Sequence, residues 1–260
     1  MTAWLPTGIG LVGAGLALWS GWRCRQTSLP ETPTARRLAP FLAGWAMGFA
    51  LVMGALGLDF GLQGMPDHAA TAYAAALALL LGHLSGLALL ALSSGRPLAL
   101  TVGLWMTLGL PPFGAFAGLW LGLQALQASL LLLPAWPSLL HAATGLACLG
   151  GWVWAWQGGE RLRHAEAAPQ PTRRAVAIAS GFLVGLGVLA GFLPWLWVLP
   201  AQVGAGAATG ELPMLLVALG MMLTPVIPGQ ASVIPFGILA IAMALTSVLL
   251  LVLRLTRRPR

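Results

Sequence analysis

The 260-residue chain is 58% hydrophobic and only 7% charged. A soluble globular domain carries about a quarter charged residues, so no water-facing surface can be assembled from this composition. The net charge of +7 does not read as nucleic-acid binding either, because the arginines fall in short clusters between apolar runs instead of gathering on one solvated face.

In chain order, Met1 to Trp22 has no basic stretch ahead of its apolar run and reads as a retained helix instead of a cleaved leader. A hydrocarbon core of about 30 Å needs about 20 apolar residues per crossing. That predicts spans at 3–22, 38–58, 69–93, 98–133, 138–157 and 175–198, followed by a final region at 212–254. The expected fold is an all-α, polytopic transmembrane bundle of about seven spans, since backbone in lipid must satisfy its own polar groups. Residues 1–200 form one six-helix domain in this reading, and 201–260 add a C-terminal membrane segment. Prolines 225, 228 and 235 interrupt that segment, which predicts a re-entrant piece at 212–227 and a last helix at 236–253. The stretch 158–174, with Glu160, His164, Glu166 and four arginines, reads as a solvated connector.

Span 98–133 is too long for one simple crossing and contains Leu110-Pro111-Pro112-Phe113-Gly114. Two prolines remove two donors and bar the residues before them from a regular helix, so a discontinuous helix is expected, 98–110 followed by 113–131. Broken backbone at membrane depth survives only where protein or a water-filled cavity buries it, which makes Leu110, Pro111, Pro112 and Gly114 a pointer to a site. A proline kink relieved by neighbouring helices is the plainer alternative.

All 13 basic residues are arginine. They follow the first span (Arg23, Arg25, Arg36, Arg37), the third (Arg96), the fifth (Arg161, Arg163, Arg173, Arg174) and the last (Arg254, Arg257, Arg258, Arg260). The alternate loops 59–68, 134–137 and 199–211 hold Asp59, Asp67 and Glu211 and no arginine. The positive-inside rule then places the N-terminus outside and the C-terminus in the cytoplasm, in a cell inner (cytoplasmic) membrane.

Ionisable groups inside a membrane are site candidates by default. With the acids assigned to loops or helix ends, the spans offer His83, His141, Tyr73 and Cys148. His83 suits a proton relay or, equally, a hydrogen bond to a neighbouring helix. His141, within a turn of a helix start, reads first as an interfacial residue. Thr101, Thr107, Gln124 and Gln127 can bridge helices or hold water. The proton-path candidates are His83, His141, Thr107 and Gln124. Cys24 and Cys148 read as unpaired thiols without metal spacing, and Trp152, Trp154, Trp156, Trp195 and Trp197 as an interfacial aromatic belt. No catalytic, metal or cofactor motif stands out.

Taken in order, these segments resemble the C-terminal half of the antiporter-like, proton-translocating membrane subunits of respiratory complex I, membrane-bound hydrogenases and multisubunit cation/proton antiporters. Arg36-Arg37-Leu38-Ala39-Pro40-Phe41 with Gly44 to Val52 is similar to one family helix, and Leu80 to Leu92 with His83 and Ser85-Gly86 to the next. Leu108-Gly109-Leu110-Pro111-Pro112-Phe113-Gly114-Ala115-Phe116-Ala117-Gly118-Leu119-Trp120 resembles the family's broken helix. Trp152 to Trp156 and Gly187 to Pro194 parallel the two helices that follow. The family's N-terminal half has no counterpart here, and Leu119 stands where relatives hold a Lys or Glu. A leucine cannot bind a proton. The resemblance therefore implies an accessory, non-catalytic membrane subunit with a degenerate proton path. Its partners would be other membrane subunits of the same complex, one of which could supply the missing half. A stand-alone carrier using the broken helix and His83 is the alternative from another class, and membrane-embedded quinone chemistry a third.

Overall fold

Polar backbone facing hydrocarbon must be satisfied within its own segment, and among the described residues the chain answers with seven α-helices and no strand. A computed structural model describes residues 4–27, 35–93, 97–110, 113–165 and 174–192. Pro111, Pro112 and the expected segments 212–227 and 236–253 lie outside the described residues. The helices are α1 (Trp4–Thr27), α2 (Ala35–Leu62), α3 (Pro66–Leu92), α4 (Pro97–Thr107), α5 (Gly114–Leu132), α6 (Ala135–Ala165) and α7 (Arg174–Phe192).

Three stretches are long and apolar enough to cross a membrane: Arg37–Leu62, Asp67–Leu92 and Gly114–Leu132, with mean hydropathies of 1.9, 2.1 and 1.5. The helix α1 does not join them although it is 24 residues long, because Trp, Gly, Thr, Pro and Ser dilute its apolar content. Large apolar side chains stay on the outside, as along α7, where Ile178, Phe182, Leu186 and Leu189 are all exposed. A contiguous apolar exterior of that kind marks a membrane or protein interface, which fits a protein of the bilayer.

Two boundaries differ from the sequence reading. The helix α6 continues to Ala165, so Glu160, Arg161 and Arg163 sit on its last turns instead of in a connector, and Arg163 pairs with Glu160 one turn away at 2.8 Å. The expected loop 59–68 shrinks to Gln63–Met65. Gly64 there has φ +73°, the Gly64 N–H donates to the Gly61 carbonyl, and the Met65 N–H donates to the Phe60 carbonyl. This pattern closes a helix on a left-handed glycine, and Pro66 opens α3 where its missing N–H costs nothing. Asp59 is thereby inside α2 and Asp67 in the first turn of α3.

Small residues set the packing. The helices α1, α2 and α6 approach until their backbones touch: a Cβ at Gly13 would lie 2.6 Å from the Gly48 carbonyl oxygen, and one at Gly151 would lie 2.5 Å from the Ala17 carbonyl oxygen. With little apolar driving force between helices in lipid, such close contact is what holds them together. The helix α3 occupies the centre, packed against α2, α4, α5 and α7. Its Gly82 meets the start of α5 and its Gly86 the end of α4, where a Cβ would lie 2.7 Å from the Thr107 nitrogen.

A Cβ at Gly21 would run into the Gly151 backbone, whereas Gly8 faces open space. Gly21→Ala should therefore destabilise the protein in detergent by about 1–3 kcal/mol through overpacking that backbone cannot relieve. Gly8→Ala should be neutral or slightly stabilising. Denaturant unfolding of the two variants measures both, and equal stabilities would contradict the α1–α6 contact.

Candidate functional site: a helix break sealed by His83 and Trp152

In an α-helix each carbonyl accepts from the N–H four residues on. Thr107 and Leu108 look forward to residues 111 and 112, both proline, so neither carbonyl has a backbone donor at that distance. The carbonyls just before them are met within the end of α4 itself. The Leu108 N–H donates to Leu104 at 2.8 Å, the Leu110 N–H to Trp105 at 2.9 Å, and the Gly109 N–H to Met106 at 3.4 Å. Gly109 has φ +67°, and this pair of reversed bonds around a left-handed glycine is the Schellman helix stop. The Phe113 N–H then takes the Leu110 carbonyl at 3.2 Å, and α5 begins one residue later.

The two carbonyls left over are met from other helices. His83 of α3 donates through Nδ1 to the Thr107 carbonyl at 2.7 Å, and the Trp152 indole N–H of α6 donates to the Leu108 carbonyl at 2.8 Å. Because a carbonyl only accepts, the proton of a neutral His83 must sit on Nδ1. His83 is 2% exposed, and its ring lies 6.1 Å from that of Trp45. The indole of Trp45, fully buried, donates to the Cys148 carbonyl at 3.0 Å and so ties α2 to α6 beside the break. Gly82 and Gly86 flank His83 in sequence and leave the room that lets its ring reach the Thr107 carbonyl.

On the far side of Gly109 lies a cavity of about 240 Å³, lined by Leu110, Phe116, Leu119, Leu123, Trp152 and their neighbours, none of them ionisable. Its walls offer water almost no hydrogen-bond partner, and it opens to the exterior beside Leu123. Leu119 contributes a methyl group directly beneath Gly109. Met106 and Phe113 close another side of the break with Leu183, Val184 and Val188 of α7.

Of the expected proton-path residues, His83 and Thr107 come together, through the Thr107 carbonyl. The Thr107 hydroxyl is turned back onto the Gly103 carbonyl. Gln124 is buried on α5, Gln127 is exposed, and Thr101 is buried on α4. Cys24 and Cys148 are free, buried thiols. His141 is elsewhere: its Nε2 meets Asp59 Oδ2 at 2.5 Å, with the side chains only 2% and 11% exposed. The sequence reading, which left no acid inside the spans and treated His141 as interfacial, is corrected here. Asp59 lies inside α2 because the helix runs on to Leu62. On α2 the pair is seventeen residues from Leu42, whose carbonyl faces His83, or about 25 Å by the helical rise. The two histidines therefore occupy separate sites. Among the described residues no group of three metal-ligating side chains forms.

No model of a known protein family matches the chain, and no curated protein matches it.

Removing a donor leaves a carbonyl buried without a partner, at about 1–3 kcal/mol. Trp152→Phe keeps the ring and loses only the N–H, so it should lower stability by that amount, and His83→Leu should do the same at the Thr107 carbonyl. Trp136→Phe, at a residue 69% exposed, should change little, within about 0.5 kcal/mol. Unfolding in mild detergent compares the three, and a Trp152→Phe protein as stable as the parent would show that the Leu108 carbonyl is satisfied some other way.

Proposed function

We propose that the protein is an accessory membrane subunit of a multisubunit, ion-translocating complex of the complex I, hydrogenase or cation/proton antiporter type. In this reading it is mainly structural and carries only a degenerate proton path. The observation that carries it is the apolar break: at the place where the resembled subunits hold a charged side chain, Leu119 faces an uncharged cavity, and His83 is committed to sealing the Thr107 carbonyl. A broken helix filled with hydrocarbon serves packing better than conduction. The exposed apolar faces of α1, α6 and α7 would lie against lipid and larger subunits.

The proposed orientation has the N-terminus outside and the C-terminus in the cytoplasm of an inner membrane. It is supported by the Arg161 side chain of α6 donating to the Arg25 carbonyl of α1 at 3.3 Å, which gathers arginines of two separate sequence clusters at one end of the bundle. The arginine-free turn at Leu133–Pro134 lies at the other end of α6, and the turn from α2 to α3 at Gln63–Met65 is arginine-free too. A stand-alone carrier draws less support, because His83 and His141 do not form one row.

Extraction from native membranes in mild detergent should bring the protein out together with larger membrane subunits. Reconstituted alone in liposomes, it should leave an imposed pH gradient decaying as in protein-free vesicles. A stable lone monomer that dissipates the gradient would overturn the proposal.

A further inference from the structure

The Asp59–His141 pair does no work in the site at the break. Asp59 lies three residues before the end of α2, and His141 six residues after the start of α6, about 4.5 Å and about 9 Å in from those ends by the helical rise. Both helices end there at short turns, so the pair sits one to two turns in from that end of α2 and α6. His141 is 1% exposed, and its second ring nitrogen, Nδ1, is buried without a hydrogen-bond partner. The surroundings do not supply one. The helix α1 brings Gly10 against Ala55 and Thr144, and the ionisable residues of α1, Arg23, Cys24 and Arg25, are at its other end. The helix α5 has no ionisable residue. From α3 come His68, whose ring lies tilted 5.3 Å from that of Phe60, Asp67 in the first turn, and Tyr73, whose ring packs on Gly57. The Thr144 hydroxyl donates to the His141 carbonyl at 3.0 Å and leaves the ring alone.

We infer that Asp59 and His141 form a proton-binding site of this chain, buried near its Gln63–Met65 end and separate from the helix break. With the carboxylate ionised and the imidazole neutral, Nε2–H donates to Asp59 and Nδ1 holds a lone pair, giving the pair one negative charge. A hydronium ion reaching Nδ1 transfers its proton there and departs as water, and the pair becomes a neutral carboxylate–imidazolium couple. Release is the reverse step. A purely structural tie would need only the Nε2 bond. His83 likewise keeps a buried ring nitrogen, Nε2, without a partner, so what singles His141 out is an orphaned nitrogen on a ring whose other nitrogen holds a carboxylate. This inference is independent of whether the chain belongs to a larger complex, since it concerns binding of a proton and not its passage through the membrane.

The test is nitrogen NMR of ¹⁵N-histidine-labelled protein in lipid nanodiscs, with the His141 signals assigned by their loss in His141→Gln. As the pH is lowered over the range scanned, His141 Nδ1 should pass from bare nitrogen to N–H while Nε2 stays protonated. One proton is then taken up per chain. In Asp59→Asn the uptake should vanish from that range while the His83 signals stay in place, and Asp59→Glu should restore it. Should Asp59→Asn fail to fold, the wild-type spectra and Asp59→Glu decide alone. A His141 Nδ1 that keeps one state across the range, or that titrates unchanged in Asp59→Asn, would overturn the assignment.

Discussion

Two adjacent prolines leave the carbonyls of Thr107 and Leu108 without backbone donors, and in an apolar interior neither can turn to water. An unpaired amide carbonyl there costs about as much as a well-made hydrogen bond contributes, so the end of α4 must be fitted with donors from elsewhere. His83 and Trp152 supply them from two different helices. That requirement orders much else: Gly82 and Gly86 must be small so that α3 comes close, and Trp152 must lean from α6 across the mouth of the cavity. The Schellman stop at Gly109 turns the remaining carbonyls inward.

Close approach is the second constraint, and it answers to the solvent. In lipid, apolar side chains gain little by leaving a neighbour for a helix, so association depends on backbone-to-backbone contact and a few polar ties. The glycine contacts between α1, α2 and α6 supply the first. The Trp45 bond to the Cys148 carbonyl and the Asp59–His141 pair supply the second, one partway along the α2–α6 seam and one toward its Leu62 end.

The same physics separates the two histidines. His83 has its Nδ1 spent on a carbonyl that has no other donor, which turns a candidate relay into a structural plug. His141 faces a carboxylate instead, and each histidine keeps its second ring nitrogen buried without a partner. Residue type and burial were alike for both. The partner made the difference.

Composition alone determined that this chain is helical and belongs in a membrane, because 7% charged residues cannot cover a soluble surface and lone strands cannot satisfy themselves in lipid. The Pro111-Pro112 step likewise determined the break and the two donor-less carbonyls, since missing N–H groups are a covalent fact readable at four-residue spacing. Helix ends were less legible: Asp59 looked like a loop residue because a charge ordinarily marks a span's edge, and α6 ran past Glu160 because an i,i+3 ion pair lets charged residues continue a helix into water. Only the tertiary structure decided which side chains reach the break, 24 residues upstream and 44 downstream, and that Asp59 meets His141 across 82 residues. Such pairings depend on which helix faces pack together, and the local periodicity of a sequence carries no record of that choice.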